Sequence, residues 1–555
     1  MLQNLLSSNI LCYLPIRYSF SFVFISLLLL LSSCNSNIDN DKEIAKRVFT
    51  YNQPNSVTSL DPAFARSMTN IWAIDHIYNG LLQLDDSLHI KYCIAKSWNI
   101  DSSGRVYTFI LRNDVLFHNS KSFAGGQGRR VIASDVVYSF NRILDTKISS
   151  PGSWIFKGRV DSITPFSALN DSVFQLHLMR PFKPMLGILT MQYCSIIPHE
   201  AIEYYGNEFR KNPVGTGPYK LKRWIENQTL YLNRNPYYFE KENGHSLPYM
   251  DGIRIEFIAD RKSAFLKFIK GDLDLFSGLE SSYINALLTP DGKLQNWLDK
   301  KVNYNKNPFL NTEFIGINTT KLPPDHPLRN KYFRRALNCS INRAKMLSLL
   351  RNNVGKPADS GIIPFGMPAY NPNKVKGYAY DVTEAKNLLS KAGFPDGNGL
   401  PVITLHCNKD YADICTFLAR QWQEINIPIN IEVVESATLR EMMRNGTTSF
   451  FRASWVGDYP DEENYLSLFY SKNAAPPNYT RFSNSQYDLL YEKALNTNDP
   501  KEINNLYNEM NSIVVEQAPV ILLWYDETAQ FYGKNVSGLH SNIMNLLSVK
   551  RIRKN

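Results

Sequence analysis

Cysteine is scarce, with seven in 555 residues. Those beyond position 34 (Cys93, Cys194, Cys339, Cys407 and Cys415) are odd in number and widely spaced. Such spacing builds no disulfide framework, although a single pair stays open in an oxidising compartment. Long basic runs are absent. The tail Lys550-Arg551-Ile552-Arg553-Lys554 is short, and a net charge of +10 is modest for this length, so nucleic-acid binding has no support beyond overall pI. Catalytic signatures are missing too. His199-Glu200 opens like a zinc-protease motif, but position 203 is Glu203 where the second histidine is needed. Gly215-Thr216-Gly217 is followed by Pro218, which removes an amide donor, and no Gly-Lys-Ser/Thr follows as in a phosphate loop. No Gly-x-Ser-x-Gly elbow occurs, and nine histidines are scattered singly. Asp458 and Asp461 could imitate a glycosidase pair, but Pro460 between them favours a binding turn. Enzymatic activity is not expected, nor is any cofactor or metal.

Only one long apolar run is present, Phe20 to Leu31, preceded by a single charge, Arg17. It is shorter than the ~20 residues a spanning helix needs and has the placement of a secretory signal core. The run stops at Leu31-Ser32-Ser33-Cys34, which resembles the bacterial lipoprotein signal, in which cleavage before Cys34 is coupled to lipid attachment on its sulfur. Residues 1–33 are therefore expected to be a signal peptide and Cys34 a lipidation site. The polar Asn35 to Asp41 would serve as a tether. The expected location is a membrane lipid anchor facing the periplasm or the cell exterior. Roughly 520 residues remain, enough for two to four domains. The 31 Tyr and 30 Phe suit large cores and a stacking-lined groove.

The stretch Phe450-Phe451-Arg452-Ala453-Ser454-Trp455-Val456-Gly457-Asp458 carries the most chemistry. It starts as a buried strand and then offers a cation, an aromatic plate and an anion. At period two, Arg452, Ser454 and Val456 share one face and Ala453, Trp455 and Gly457 the other. Asp458 could receive an ammonium and Arg452 could fork onto a carboxylate, which suits an extended zwitterion such as a peptide. The alternative is a strand ending in a turn, with Arg452 and Asp458 paired to neighbouring protein groups.

The remaining pattern is β-rich at first. Strands are expected at 105–112 and 173–178, with a helix capped by Ser134 between them and another capped by Asp260. A crossing segment is expected at 303–310. Beyond it come a helix over 328–350, one opened by Asp381 with Glu384 in capping-box spacing, and strands at 402–405 and 429–434 alternating with helices. Val520 to Tyr525 reads as a strand returning to the first domain.

Several blocks together resemble the family 5 extracellular solute-binding proteins of ABC importers, most of all the peptide-binding members. These are Tyr107 to His118, Ala133 to Phe140, Pro213 to Tyr219, Gly271 to Asp274, Phe333 to Arg343 and Trp455 to Pro460, in family order. The resemblance implies an α/β fold like the type II periplasmic binding proteins, with two lobes joined by a hinge plus an inserted domain. Lobe I would comprise 34–78, 211–309 and 518–555, the insert 79–210 and lobe II 310–517. The hinge would include Asn303-Tyr304-Asn305 and Ala518-Pro519. It further implies that a short peptide lies extended between the closing lobes, pairing its backbone with Ser454 and Val456. Asp458 would hold its ammonium, Arg452 a terminal carboxylate for some lengths, and Trp455 would wall a side-chain pocket. Arg66 and Ser67 would belong to a facing segment. The implied partners are the permease subunits of an ABC transporter, with the receptor itself a monomer. The chain departs from the family pattern in a long basic loop, Ser120 to Arg130. Other ligands on the same fold (a metal chelate, a sugar, an opine-like compound) and a peptide-sensing lipoprotein uncoupled from transport are the alternatives.

Overall fold

In the computed structural model, which describes residues 47–279, 283–497 and 499–555, the chain enters on a strand that is buried along most of its length, β1 (Val48–Gln53). The leader, Cys34 and the tether lie outside the described residues. Helix α1 (Met68–Ile77) follows, started by Ser67, whose hydroxyl accepts from the Asn70 amide at 3.3 Å. The inserted region then forms a four-stranded antiparallel sheet from β2 (Ala95–Ile100), β3 (Val106–Leu111), β4 (Phe166–Asn170) and β5 (Val173–His177), in the order β2-β3-β5-β4. Helix α2 (Ala133–Leu144) packs Phe140 against Phe156, Phe166 and Phe174 of this region. Ser134 is not its cap. Asp135 does that work, its carboxylate accepting from the Ile132 amide at 2.9 Å, because its side chain reaches back across the first turn.

Past the insert, β6 (Tyr219–Ile225), β7 (Thr229–Arg234) and β8 (Gly252–Phe257) lead to helix α3 (Arg261–Lys270) and strand β9 (Leu275–Ser277). Asp260 caps α3 through the Ser263 amide, and Gly271 ends it in the left-handed region at φ +90°. The 16-residue strand β10 (Val302–Ile317) then crosses to the second lobe. There α4 (Lys331–Cys339) and α5 (Arg343–Arg351) replace the single helix expected over 328–350. The first helix ends with Ser340 as its C-cap, and Asn342 caps the next, accepting from the Lys345 amide. Helix α6 (Val382–Lys391), strand β11 (Ile403–Cys407), helix α7 (Ala412–Gln423), strand β12 (Ile429–Val433), helix α8 (Ser436–Asn445) and strand β13 (Phe450–Val456) follow. Helices α9 (Ser485–Asn496) and α10 (Pro500–Gln517) precede the final long strand, β14 (Val520–Gly533).

One sheet runs through both lobes in the order β12-β11-β13-β10-β14-β9-β1-β8-β7-β6. Its continuity rests on β10 and β14, which pair antiparallel from Val302↔Gly533 to Pro308↔Glu527 and again from Thr312↔Tyr525 to Gly316↔Val520. The ladder is interrupted between those halves. Val302, Ala529 and Phe531 belong to a core with Phe268 and Phe276, whereas Leu310, Leu522 and Tyr525 pack with Phe451 and Tyr465. The two strands therefore change core partners at Phe309 to Asn311 and near Asp526. The return expected at Ala518-Pro519 comes too early, since Val520 to Tyr525 are built into the second lobe. The insert has no separate core either: Phe49 and Tyr51 of β1 share one cluster with Phe109, Phe140 and Ile188.

Several family-like blocks turn out to be joints of this scaffold. A Cβ on Gly217 would stand 2.4 Å from the Ile77 carbonyl carbon, at the end of α1. Backbone cannot step aside, so Gly217→Ala is expected to destabilise by about 1–3 kcal/mol in chemical denaturation. An unchanged midpoint would show that this joint yields. Arg343 is buried without an acidic partner among the described residues and donates instead to the carbonyls of Leu522, Asn338 and Tyr378. Arg334 does the same to Gln517 and Ala518, so two arginines pin the entry to β14. The basic tail is paired as well, Lys550 with Glu240 at 2.6 Å and Arg551 with Glu242 at 2.6 Å. Among the described residues no helix is long and apolar enough to cross a membrane.

Candidate ligand-binding cleft

Strand β13 is the wall on which the site is built. Its apolar start, Phe450 and Phe451, is fully buried, and on one side it pairs with β10 from Ile317↔Phe450 to Asn311↔Val456. On the other side β11 meets it only at His406↔Phe451. Past that point no described strand covers it. The Gly457 amide donates to the Leu310 carbonyl at 2.7 Å. Backbone groups alternate sides along an antiparallel strand, so those of Ser454 and Val456 point to the uncovered edge. That edge can accept an extended chain as an added strand.

The strand end opens on a cleft of about 780 Å³ between the lobes. Val456, Gly457 and Asp458 line it from lobe II, with Ala65, Arg66 and Met68 opposite and Trp154 and Tyr193 contributed by the insert. Lobe II touches the insert beside it. Tyr459 belongs to the lobe I core cluster with its ring 6.3 Å from that of Trp154, and Pro460 lies against Gly187. Asp458 consequently sees the water of the cleft yet is walled in by protein. This enclosure pushes its pKa up to about 6, against the opposing hydrogen bond from Asn464. Asn464 also takes the Asp458 amide at 3.0 Å, which fixes the turn. A carboxylate held in so confined a place gains most from a cation that enters with its own hydrogen-bond donors.

The other expected site residues fare differently. Arg66 lines the cleft and is exposed. Ser67 acts as the cap of α1. Ser454 is half-buried on the free edge of β13. Trp455 is a correction: its indole donates to Asn464 Oδ1 at 2.8 Å and its ring packs on the lobe II core, so it braces the Asp458 turn rather than walling the cavity. Arg452 is the second correction. Its guanidinium is paired with the buried Glu313 and stacked 3.1 Å from the Tyr411 ring centroid, and it does not line the cleft. Tyr411 and Asn311 also donate to Glu313, at 3.2 and 2.9 Å. The alternative of a neighbouring protein partner describes Arg452, while Asp458 has no cationic partner among the described residues.

Asp461 does not form a carboxylate pair with Asp458. It turns into lobe II under the Tyr507 hydroxyl, and burial pushes its pKa up to about 7. Asp135, His199 and Glu200 converge closely enough for a metal, but the Arg129 guanidinium already donates to Asp135 and Glu200. Sequence reading missed Arg440 and Arg444 on α8, which line the cleft. Their i, i+4 spacing on the helix before β13 was the available signal. Tyr193 and Trp154 left none, since a fold must bring them in.

Residues 89–477 match the family described as bacterial extracellular solute-binding proteins, family 5 Middle. The chain belongs to that family. Among relatives, the glutathione-binding protein GsiB of Escherichia coli O6:K15:H31 is 26% identical over 490 residues, covering 87% of this chain and 89% of its own. Among solved structures, the periplasmic binding protein DppA of Helicobacter pylori, in complex with the peptide STSA, superposes with a TM-score of 0.75 at 25% identity over 92% of this chain and 99% of the other. The murein tripeptide binding protein MppA of Escherichia coli gives 0.73 at 22% identity, over 92% and 98%. This family 5 solute-binding protein thus has the α/β fold of those periplasmic receptors, and its cleft lies at the lobe boundary.

Proposed function

We propose that this solute-binding protein is the lipid-anchored, extracytoplasmic receptor of an ABC importer and that it captures short peptides by closing its lobes, without covalent chemistry. The observation that carries the reading is the free edge of β13 ending at the enclosed Asp458. A peptide backbone laid along Ser454 and Val456 would bring its ammonium to that carboxylate. Backbone pairing ignores side chains and so supports affinity with broad selectivity. Closure about the crossing at Phe309 to Asn311 would be of the hinge type the handed-over strands β10 and β14 permit. Relatives named for glutathione, a peptide and a murein tripeptide support a peptide-like ligand. Lipid anchoring rests on Leu31-Ser32-Ser33-Cys34 alone.

Native mass spectrometry of the purified protein, followed by denaturation and analysis of released molecules, tests the class of ligand. A ladder of short mixed-sequence peptides is the expected result, whereas a single non-peptide mass would move the assignment to another solute.

Acidity provides a second test. Enclosure favours the neutral form of Asp458, and an arriving ammonium favours the charged form, so binding below pH ~6 must release a proton. Affinity for a free-amino peptide is expected to fall about tenfold per pH unit below ~6 and to level off above it. Calorimetric titration at pH 5 and pH 7 reads this directly, and a flat profile would separate Asp458 from the ammonium.

A further inference from the structure

The charge lining the cleft is unbalanced. Arg66, Arg440 and Arg444 face it, and Asp458 is the one acidic side chain among the described lining residues. Neither Arg66 nor Arg440 has a side-chain partner among the described residues. Arg444 has a loose one, Glu441 at 3.4 Å, with both groups about half exposed. The three guanidiniums converge from different elements. Arg66 comes from the loop before α1, while Arg440 and Arg444 occupy successive turns of one face of α8. Tyr479 lies within electrostatic reach of all three: burial raises its phenol pKa and Arg444, Arg66 and Arg440 draw it back.

A neutral peptide brings one ammonium and one carboxylate. Matched to Asp458 and to one arginine, it would leave two exposed cations on the walls of one cleft, repelling each other to an extent that salt reduces. A ligand carrying further carboxylates removes that repulsion and supplies acceptors for guanidinium forks. We infer that the preferred ligands are acidic peptides, with two or more carboxylates held by Arg66, Arg440 and Arg444 while the ammonium sits on Asp458. This rests on the peptide reading above and narrows it to a charge class. Arg452, closed off with Glu313, takes no part.

The test is a calorimetric comparison of trialanine, Ala-Glu-Ala, Ala-Glu-Glu and Ala-Lys-Ala on the purified protein at low and high salt. Each added glutamate is expected to tighten binding at least tenfold at low salt, less at high salt, with Ala-Lys-Ala the weakest. In the double variant Arg440→Gln/Arg444→Gln, Ala-Glu-Glu is expected to lose at least thirtyfold and trialanine less than threefold. Both arginines are exposed, and the wild-type ranking stands independently of the variant. Equal affinities for trialanine and Ala-Glu-Glu, or equal losses for both in the variant, would overturn the acidic preference while leaving peptide binding intact. Failure of all four tripeptides to bind would overturn the peptide reading and the preference with it.

Discussion

Asp458→Asn is expected to weaken binding of a free-amino peptide by about 2–5 kcal/mol, a loss of roughly thirtyfold to several thousandfold. The size follows from the setting. The carboxylate lies beside the contact of Tyr459 with Trp154 of the insert, and although it is exposed to the water of the cleft the surrounding protein pushes its pKa up to about 6, so its charge is less well solvated than on an open surface. A ligand ammonium repairs that deficit and an amide does not. Asparagine keeps the shape and can still be reached by Asn464, so the turn should persist and stability should change little. Titration calorimetry with one peptide on both proteins measures the effect. A loss under ~0.5 kcal/mol would remove Asp458 from the ligand's ammonium.

Arg452→Ala is expected to act on stability instead, costing about 3–5 kcal/mol. Removing the guanidinium leaves Glu313, 1% exposed, as an uncompensated charge beside Tyr411 and Asn311. The paired replacement Arg452→Met/Glu313→Leu should recover most of that loss, because breaking a buried pair costs more than exchanging both members for apolar groups. Thermal or urea denaturation of the three proteins separates the roles. If Arg452→Ala unfolds like the wild type and instead loses peptide affinity, the guanidinium serves the ligand and not Glu313.

The sequence carried the Asp458 turn in plain form, because Gly457, Asp458 and Pro460 lie together and a strand pattern leads into them. It also carried the alternation of helices and strands in lobe II, where apolar spacing at two and at three to four residues is clean. The fate of Arg452 was not legible, since Glu313 lies 139 positions away and only the β10–β13 pairing sets the two together. The length of β14 was hidden for a related reason. The strand expected over Val520 to Tyr525 stops short of Asp526, Glu527, Thr528 and Gln530, yet Asp526 is held by Arg351 at 2.6 Å and Glu527 accepts the Gly355 amide at 2.9 Å. Polar residues stay in a strand when partners from other elements satisfy them. Arg334, Arg343 and Gly217, which fall in the family-like blocks, work as joints of the scaffold.

The central claim is that a peptide's free amino terminus is received at Asp458 from a chain lying on the open edge of β13. The most direct measurement compares a short peptide with its N-acetylated form on the purified protein. The free peptide should bind at least a hundredfold more tightly at pH 7, and the difference should shrink below pH ~6 as Asp458 takes up its proton. Equal affinities at pH 7 would contradict the claim and leave the enclosed carboxylate without the partner assigned to it.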